Sequence, residues 1–339
     1  MIPSRQPDDG VGIRPGQDGD AEALIALIWA CWSRHPGVKM DVDGEMPELR
    51  ALATYYAGKR GALWVAEDPA GAIIGMIATI PHDGDAWEIC RVYVHPSRHG
   101  TGLGHRLLDR AEAHAIAAGA DRLVLWSDTR FDRAHRFYEK RSYVRAGPVR
   151  VLADISNSLE YGYAKPVAGI AVLDIAAATS AEPRLSAILT ACVAEGAGVS
   201  FFPPLARDTA RAFWQATARD IAAGHKCLLA GWVGGTLAGT VTLGLGTPQN
   251  QPHRAEVSKL LVDPAIRRNG LARRLMGRLE AEARAAGRSL LTLDTRADSP
   301  AEALYRALDW RELGLIPGYA LDADRRPEDV RFFWKRLDP

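Results

Sequence analysis

Glu88–Gly119 reads EICRVYVHPSRHGTGLGHRLLDRAEAHAIAAG, and Glu256–Gly287 reads EVSKLLVDPAIRRNGLARRLMGRLEAEARAAG. Glu88, Pro96, Gly102 and Gly119 recur as Glu256, Pro264, Gly270 and Gly287, a constant shift of 168 positions. Each copy is an apolar strand, a proline-bearing turn, a basic glycine loop and a long amphipathic helix closed by glycine. A repeat of this length exceeds a solenoid unit, so one whole domain is present twice.

Composition agrees. A chain of 339 residues has room for about two domains, each able to bury its own core. The formal charge is +1 with histidine neutral, without the basic excess of a general nucleic-acid binder. Cys31, Cys90, Cys192 and Cys227 are scattered, with no metal-like spacing, and are expected to be reduced core residues rather than metal ligands. The opening MIPSRQPDDGVG has no apolar signal core, and no run of 18 apolar residues occurs, so a cytoplasmic protein with no membrane partner is expected.

Working outward, the halves divide between Ser158 and Gly169, giving domains 1–166 and 167–339. The first half reads as strand Val11–Arg14, helix Ala21–Trp32 with Asp18 and Asp20 as caps, a second helical stretch, and strands Ala62–Glu67 and Ala72–Thr79. The second half repeats this with strand Ala171–Ile175, helices Pro183–Ala194 and Asp208–Ala222, and strands Lys226–Trp232 and Thr236–Leu245. After the shared segment come a strand (Arg122–Trp126; Ser289–Asp294), a short helix bearing tyrosine, and a closing strand (Glu160–Pro166; Val330–Leu337). The order β-α-α-β-β-β-α-β-α-β predicts an α/β mixed sheet with helices on both faces, twice over.

Chemistry enters at the glycine loop, Arg267-Arg268-Asn269-Gly270-Leu271-Ala272 in the second copy. A helix start leaves backbone N–H groups unpaired and carries partial positive charge, so it attracts phosphate. Gly270 lets a diphosphate approach the backbone, and Arg267, Arg268 and Arg273 add charge-assisted contacts. A Walker A loop requires Gly-Lys, which neither copy has. A dinucleotide fingerprint requires a last glycine spacing that Gly100, Gly102 and Gly104 do not provide.

The loop resembles the acetyl-CoA loop of the GNAT superfamily of N-acetyltransferases, [Q/R]-x-x-G-x-[G/A]. Residues 267–272 match every specified position. The first copy gives His99-Gly100-Thr101-Gly102-Leu103-Gly104, with His99 in place of Gln or Arg. Within that superfamily the second half resembles the tabtoxin-resistance type, through PQNQPHRAEVSKLLVDP, LLTLDTRADSPAEALYRALDWRELGLIPGYAL and FFWKRL. The first half, through LWSDTRFDRAHRFYEKRSY, resembles a branch of unassigned substrate.

The resemblance implies acetyl-CoA as co-substrate, a small-molecule primary amine as acceptor, and roles for particular residues. An alkyl amine with a pKa near 10.4 costs roughly 4–5 kcal/mol to deprotonate at neutral pH, an α-amine only about 1 kcal/mol, so a base matters chiefly for the former. By resemblance, Glu256 and Asp294 relay the amine proton through water and Tyr305 protonates the leaving thiolate. The backbone of Leu261 and Val262 holds the pantetheine arm and polarises the thioester carbonyl. Glu88, Asp128 and Tyr138, with Tyr93 and Val94, take the matching places in the first half, although Asp128–Tyr138 is one residue shorter than Asp294–Tyr305.

Plainer alternatives stand beside these. Glu256 has Lys259 and Arg254 as candidate ion-pair partners, Asp294 can cap a turn, and Tyr305 can be core with a satisfied hydroxyl. His135 and His253 lack metal spacing. Either both halves are acetyltransferases, or the first is a degenerate binding partner, as His99 and the altered Asp128 loop suggest. A non-enzymatic CoA-binding module is disfavoured by the retained Glu, Asp and Tyr. A peptide or protein amine stays open as acceptor.

Overall fold

The structure, a computed structural model, describes residues 10–337. Residues 1–9, which carry most of the stretch read as lacking a signal core, and residues 338–339 lie outside the described residues. The chain forms two compact units: residues up to 136 together with 146–167, and residues 137–145 together with 168 onward.

In chain order the first half contains β1 (Gly12–Pro15), α1 (Ala21–Trp32), α2 (Leu52–Gly58), β2 (Ala62–Glu67), β3 (Ile73–Pro81), β4 (Ala86–Val94), α3 (Leu103–Ala117), β5 (Arg122–Asp128), α4 (Asp132–Lys140), β6 (Val144–Arg145), β7 (Arg150–Val151) and β8 (Leu159–Pro166). The second contains β9 (Gly169–Leu173), α5 (Ile175–Ala194), α6 (Arg207–Ala222), β10 (Lys226–Val233), β11 (Thr236–Gly244), β12 (Arg254–Val262), α7 (Leu271–Ala285), β13 (Leu290–Arg296), α8 (Pro300–Arg306), β14 (Arg311–Leu321) and β15 (Pro327–Arg336).

In the first unit the strands run β1-β2-β3-β4-β5-β8, and in the second β14-β15-β13-β12-β11-β10-β9. All pairs are antiparallel except β4 with β5 and β12 with β13. The mixed α/β sheet is therefore present twice. α7 buries Leu271, Leu275, Met276, Leu279 and Ala283, the i, i+4 stripe that its sequence spells. It approaches β11 closely because Gly239 has no side chain: a Cβ there would stand 2.7 Å from the Leu261 carbonyl and 3.0 Å from Leu271. On the other face α5 and α6 enclose a core of Leu185, Ile188, Leu189, Trp214 and Trp232.

Each unit also ties its closing strand to its loop-bearing helix by a buried ion pair. Lys165 reaches Glu112 at 2.5 Å, and Lys335 reaches Glu280 at 2.8 and 2.9 Å and the Leu308 carbonyl at 2.8 Å. Among the described residues no helix is long and apolar enough to cross a membrane.

Beyond the short strands β6 and β7 and small shifts of element ends, four details differ from the sequence expectation. The helix expected from Pro183 begins at Ile175, because the Asp174 carboxylate accepts the Ala177 N–H at 2.8 Å and starts it earlier, leaving Pro183 inside. Asp20 does not cap α1; it pairs with Arg14 at 2.9 Å and accepts the Gln17 N–H. β14 was not foreseen. Gly314, Pro317 and Gly318 punctuate its sequence and its residues are nearly all exposed, so it shows no alternation; pairing to β15, with two register shifts, holds it extended. Finally, residues 137–145 of the first half pack with the second unit: Trp232 donates its indole N–H to the Ser142 carbonyl at 3.0 Å, and Ser180 Oγ accepts the Arg145 N–H at 2.9 Å.

Candidate active site

The parallel pair β12–β13 is joined over three residues only, Arg254–Glu256 against Leu290–Thr292. Beyond Glu256 the strands run on to Val262 and Arg296 without pairing to each other. The first unit repeats this: β4 and β5 pair from Ala86–Glu88 to Arg122–Val124 and then part. Glu256 and Glu88 thus stand at the mouth of a splay.

A bulge sits next to each glutamate. Val241 of β11 faces both Lys259 and Leu260, and Ile77 of β3 faces both Arg91 and Val92. Lys259 and Arg91 each have φ 52°, the left-handed conformation that an extra strand residue adopts. The bulge reverses which residues face which side. Before it, Ala255 and Val257 lie in the α7-side core; after it, Leu261 lies in the α5-side core while Leu260 and Val262 pack toward α7.

The same alternation locates the titratable groups. Leu291, Leu293 and Phe333 face α7, so Thr292 and Asp294, with Glu256 beside Thr292, face the α5–α6 side. Both carboxylates are exposed. Neither makes a hydrogen bond or ion pair with another described residue, so the salt bridge and the turn cap weighed for them do not form. Tyr305 lies on the α7 side, its ring 6.0 Å from that of Trp310 and 5.9 Å from that of Phe333. Burial, with Asp294 nearby, pushes its phenol well above the ordinary tyrosine value. Its hydroxyl makes no hydrogen bond among the described residues, nor is it among the sealed, unpartnered buried atoms. The ring is core, and the hydroxyl beside it is not fully sealed. Glu256 and Asp294 thus lie on one face of the splayed strands, and Tyr305 packs on the other.

The glycine loops sit at the helix starts. Gly102 and Gly270 are the residues before the first turns of α3 and α7, with φ 88° and 78°, a conformation that costs any other L-residue about 1–2 kcal/mol. In the second loop the amides of Arg268, Asn269, Gly270, Ala272 and Arg273 have no acceptor among the described residues. The Leu271 amide is already taken by Asn269 Oδ1 at 3.0 Å. In the first loop the amides of Gly100, Thr101, Gly102, Leu103 and Gly104 are likewise open. These amides and the exposed Arg268 fit an anionic diphosphate. Arg267 is held by Glu195 at 2.6 Å, and Arg273 rests on the Ala307 carbonyl at 3.3 Å. His99 turns back onto the strand, its Nε2 3.0 Å from the Val94 carbonyl, and burial lowers its pKa. The thiols repeat as well: Cys31 donates to the Val94 carbonyl and Cys192 to that of Val262, each at 3.4 Å. Tyr93 accepts the Trp32 indole N–H at 3.1 Å. All four cysteines are free, and burial pushes the Cys31 thiol up to about 11.

The first copy's carboxylate is not in the state of the second. Asp128 is buried and accepts the Arg130 backbone N–H at 2.8 Å and both arms of its guanidinium, at 2.8 and 2.5 Å. Burial raises its pKa, but Arg130 and Ser158 outweigh burial and hold it below the usual carboxylate range. Among the described residues Glu88 has only a distant partner, His82 at 3.7 Å. Tyr138, a buried ring beside Phe137 and Tyr143, falls in the segment that packs with the second unit, whereas Glu88 and Asp128 belong to the first. Sequence reasoning did not single out Lys259 or Arg91 for the site. A cation two residues before the strand's final pair was visible in both copies, but the bulge that turns it was not.

A duplicated sheet, split between its fourth and fifth strands beside a glycine-started helix, defines an acyl-CoA N-acyltransferase architecture. The sequence profile of the Acetyltransferase (GNAT) family matches residues 21–143 and 195–310, and the chain belongs to that family. It is similar to a mycothiol acetyltransferase of Thermobispora bispora, 28% identical over 151 residues covering 42% of this chain and 50% of the relative. It is also similar to the structure of an N-acetyltransferase from Staphylococcus aureus Mu50 (22% identity, TM-score 0.43, 50% of this chain and 99% of that one). A third similarity is to the acetyltransferase yncA of Salmonella typhimurium solved with acetyl-CoA (21% identity, TM-score 0.42, 51% and 95%). The chain spans about half the length of the curated mycothiol acetyltransferases it matches.

Proposed function

We propose that the second half is an acetyl-CoA-dependent N-acetyltransferase that acetylates a primary amine of a small molecule by direct attack. The observation that carries this is the splay itself: two unpaired carboxylates on one face, an unpaired buried-ring phenol on the other, and a helix start with open amides alongside. Acetyl-CoA supplies the thioester. The loop amides and Arg268 bind its diphosphate, and the Leu261–Val262 backbone orients the pantetheine arm. Glu256 and Asp294 accept the amine proton through water. Nitrogen attacks the carbonyl carbon, the C–N bond forms as C–S breaks, and Tyr305 donates its proton to the departing sulfur. Proton removal and proton return occur on opposite faces of one sheet.

The second half's resemblance to the tabtoxin-resistance type, and the chain's likeness to relatives named mycothiol acetyltransferases, both support a small-molecule acceptor over a protein. For the first half the geometry favours a CoA-binding partner without catalysis, because Arg130 occupies the carboxylate that the relay requires. Calorimetric titration of acetyl-CoA into the wild type, Gly102→Glu and Gly270→Glu tests both statements. Two sites, each lost with its own substitution, with turnover lost only in Gly270→Glu, is the expected result. No binding at all refutes the function; turnover lost only in Gly102→Glu refutes the assignment of halves.

A further inference from the structure

Both copies place a cation at the bulge, and the two cations are treated differently. In the first unit Arg91 is neutralised: Glu48 accepts from its guanidinium at 2.7 Å, and both side chains are largely shielded. In the second unit the same position is Lys259. Its nearest polar contact is Ser200 Oγ at 3.4 Å, and its ammonium lies 5.5 Å from the centroid of the Phe213 ring. No carboxylate comes within ion-pair distance of it among the described residues. Glu256 and Asp294 are close enough to favour its charged form, yet burial prevails and lowers its pKa.

The bulge decides where this ammonium lies. With regular alternation from Val257, which faces α7, residue 259 would face α7 too. The left-handed backbone at 259 instead sends the side chain to Ser200 and Phe213, on the α5–α6 side that Glu256 and Asp294 also face. A half-buried ammonium without a counter-ion is costly, and such groups are ordinarily paired. Here the missing partner is an anion, and the same side of the sheet carries two exposed carboxylates that suit an ammonium.

Resting on the acetyltransferase reading above, we propose that Lys259 is the carboxylate-binding residue of the second unit's acceptor site. The acceptor is accordingly an amine that also carries a carboxylate. Lys259, with Ser200, holds the carboxylate; Glu256 and Asp294 hold the ammonium before it is deprotonated. The first unit, with Arg91 already paired to Glu48, has no such anion site.

The test compares matched acceptors in the full-length protein. Amino acids, β-alanine and γ-aminobutyrate are assayed against their decarboxylated counterparts by release of the CoA thiol, in the wild type, Lys259→Met and Lys259→Arg. The expected result is at least a tenfold preference in kcat/KM for the carboxylate-bearing member. Lys259→Met should abolish the preference through KM, Lys259→Arg should retain part of it, and calorimetric affinity for acetyl-CoA should be unchanged in both. Equal losses on both acceptor classes, or a wild-type preference for the decarboxylated amines, overturn the proposal and leave Lys259 a packing residue. A second readout does not need turnover. With CoA bound, N-acetylglycine should shift the Lys259 side-chain resonance in NMR, while N-ethylacetamide should not. An unmoved resonance at saturating N-acetylglycine overturns the carboxylate site whatever the panel shows. A protein that binds acetyl-CoA, shows the shift and turns over no amine would instead overturn the catalytic reading alone.

Discussion

Replacing Gly270 by alanine separates the fold from the cradle. Gly270 has φ 78°, and a Cβ built on it meets no atom within 4 Å, so the folded state suffers backbone strain and no clash. That strain is about 1–2 kcal/mol, offset by about 0.4–1 kcal/mol because alanine also restricts the unfolded chain. The net loss is about 1 kcal/mol, or a fall in Tm of about 2–4 °C for a domain of this size. The methyl would project from the loop whose amides at 268, 269, 270, 272 and 273 are open, into space a diphosphate would use, so acetyl-CoA affinity should fall at least tenfold, about 1.4 kcal/mol. Gly287→Ala is the control. It lies just past the other end of α7 with φ 70° and equally open space, so it carries the same strain away from the loop. Urea unfolding should give matched stability losses, and calorimetry should show weakened binding only for Gly270→Ala. Equal binding in the two variants would refute the cradle. A stability loss above about 3 kcal/mol in Gly270→Ala would refute the open-space argument.

Tyr305→Phe keeps the ring packing on Trp310 and Phe333 and removes the only proton donor assigned to the leaving sulfur; kcat should fall about 10²-fold with acetyl-CoA affinity unchanged, measured by steady-state kinetics and calorimetry. Arg130→Met releases Asp128. Because Arg130 depresses the folded pKa of Asp128, its stabilisation is full above the unfolded carboxylate value and is lost as pH falls through the folded value. The variant should therefore be less stable than wild type at pH 7, with the gap closing below about pH 4, followed by urea midpoints across pH. Lys335→Met strands the buried Glu280 carboxylate and the Leu308 carbonyl at the end of the helix that carries Tyr305. It should destabilise by about 3 kcal/mol, and Lys335→Met combined with Glu280→Leu should recover most of that; unfolding curves that show no recovery would refute the pairing argument.

Much of the site was legible from local pattern. Helices α1 and α7 and strand β2 follow their apolar spacing, and Gly102 and Gly270 mark helix starts because a left-handed residue there demands glycine. Asp128 shows where pattern stops. Its place in the sequence matches Asp294, yet Arg130, two residues on, folds back to bind it, and the chain has an arginine at 296 as well, which instead reaches the Gly196 carbonyl at 3.1 Å. Spacing does not distinguish the two arginines: Arg130 turns back to Asp128 and Ser158, whereas Arg296 reaches across to Gly196 and Glu328. β14 shows the same limit in the backbone, since its exposed, proline-bearing sequence becomes a strand only because β15 lies beside it.

What the amino-acid sequence determined by itself is the duplication, the strand–loop–helix unit and its anion-attracting start, all consequences of contacts within a few turns of chain. The tertiary structure decided the rest. Strands β12 and β13 stop pairing at Glu256, a one-residue bulge turns Lys259 to the side of Glu256 and Asp294, and Tyr305 packs on the opposite face. Which face a side chain occupies depends on register against a neighbouring strand, and a single extra residue reverses it. That information is non-local, so it is fixed only when the sheet assembles.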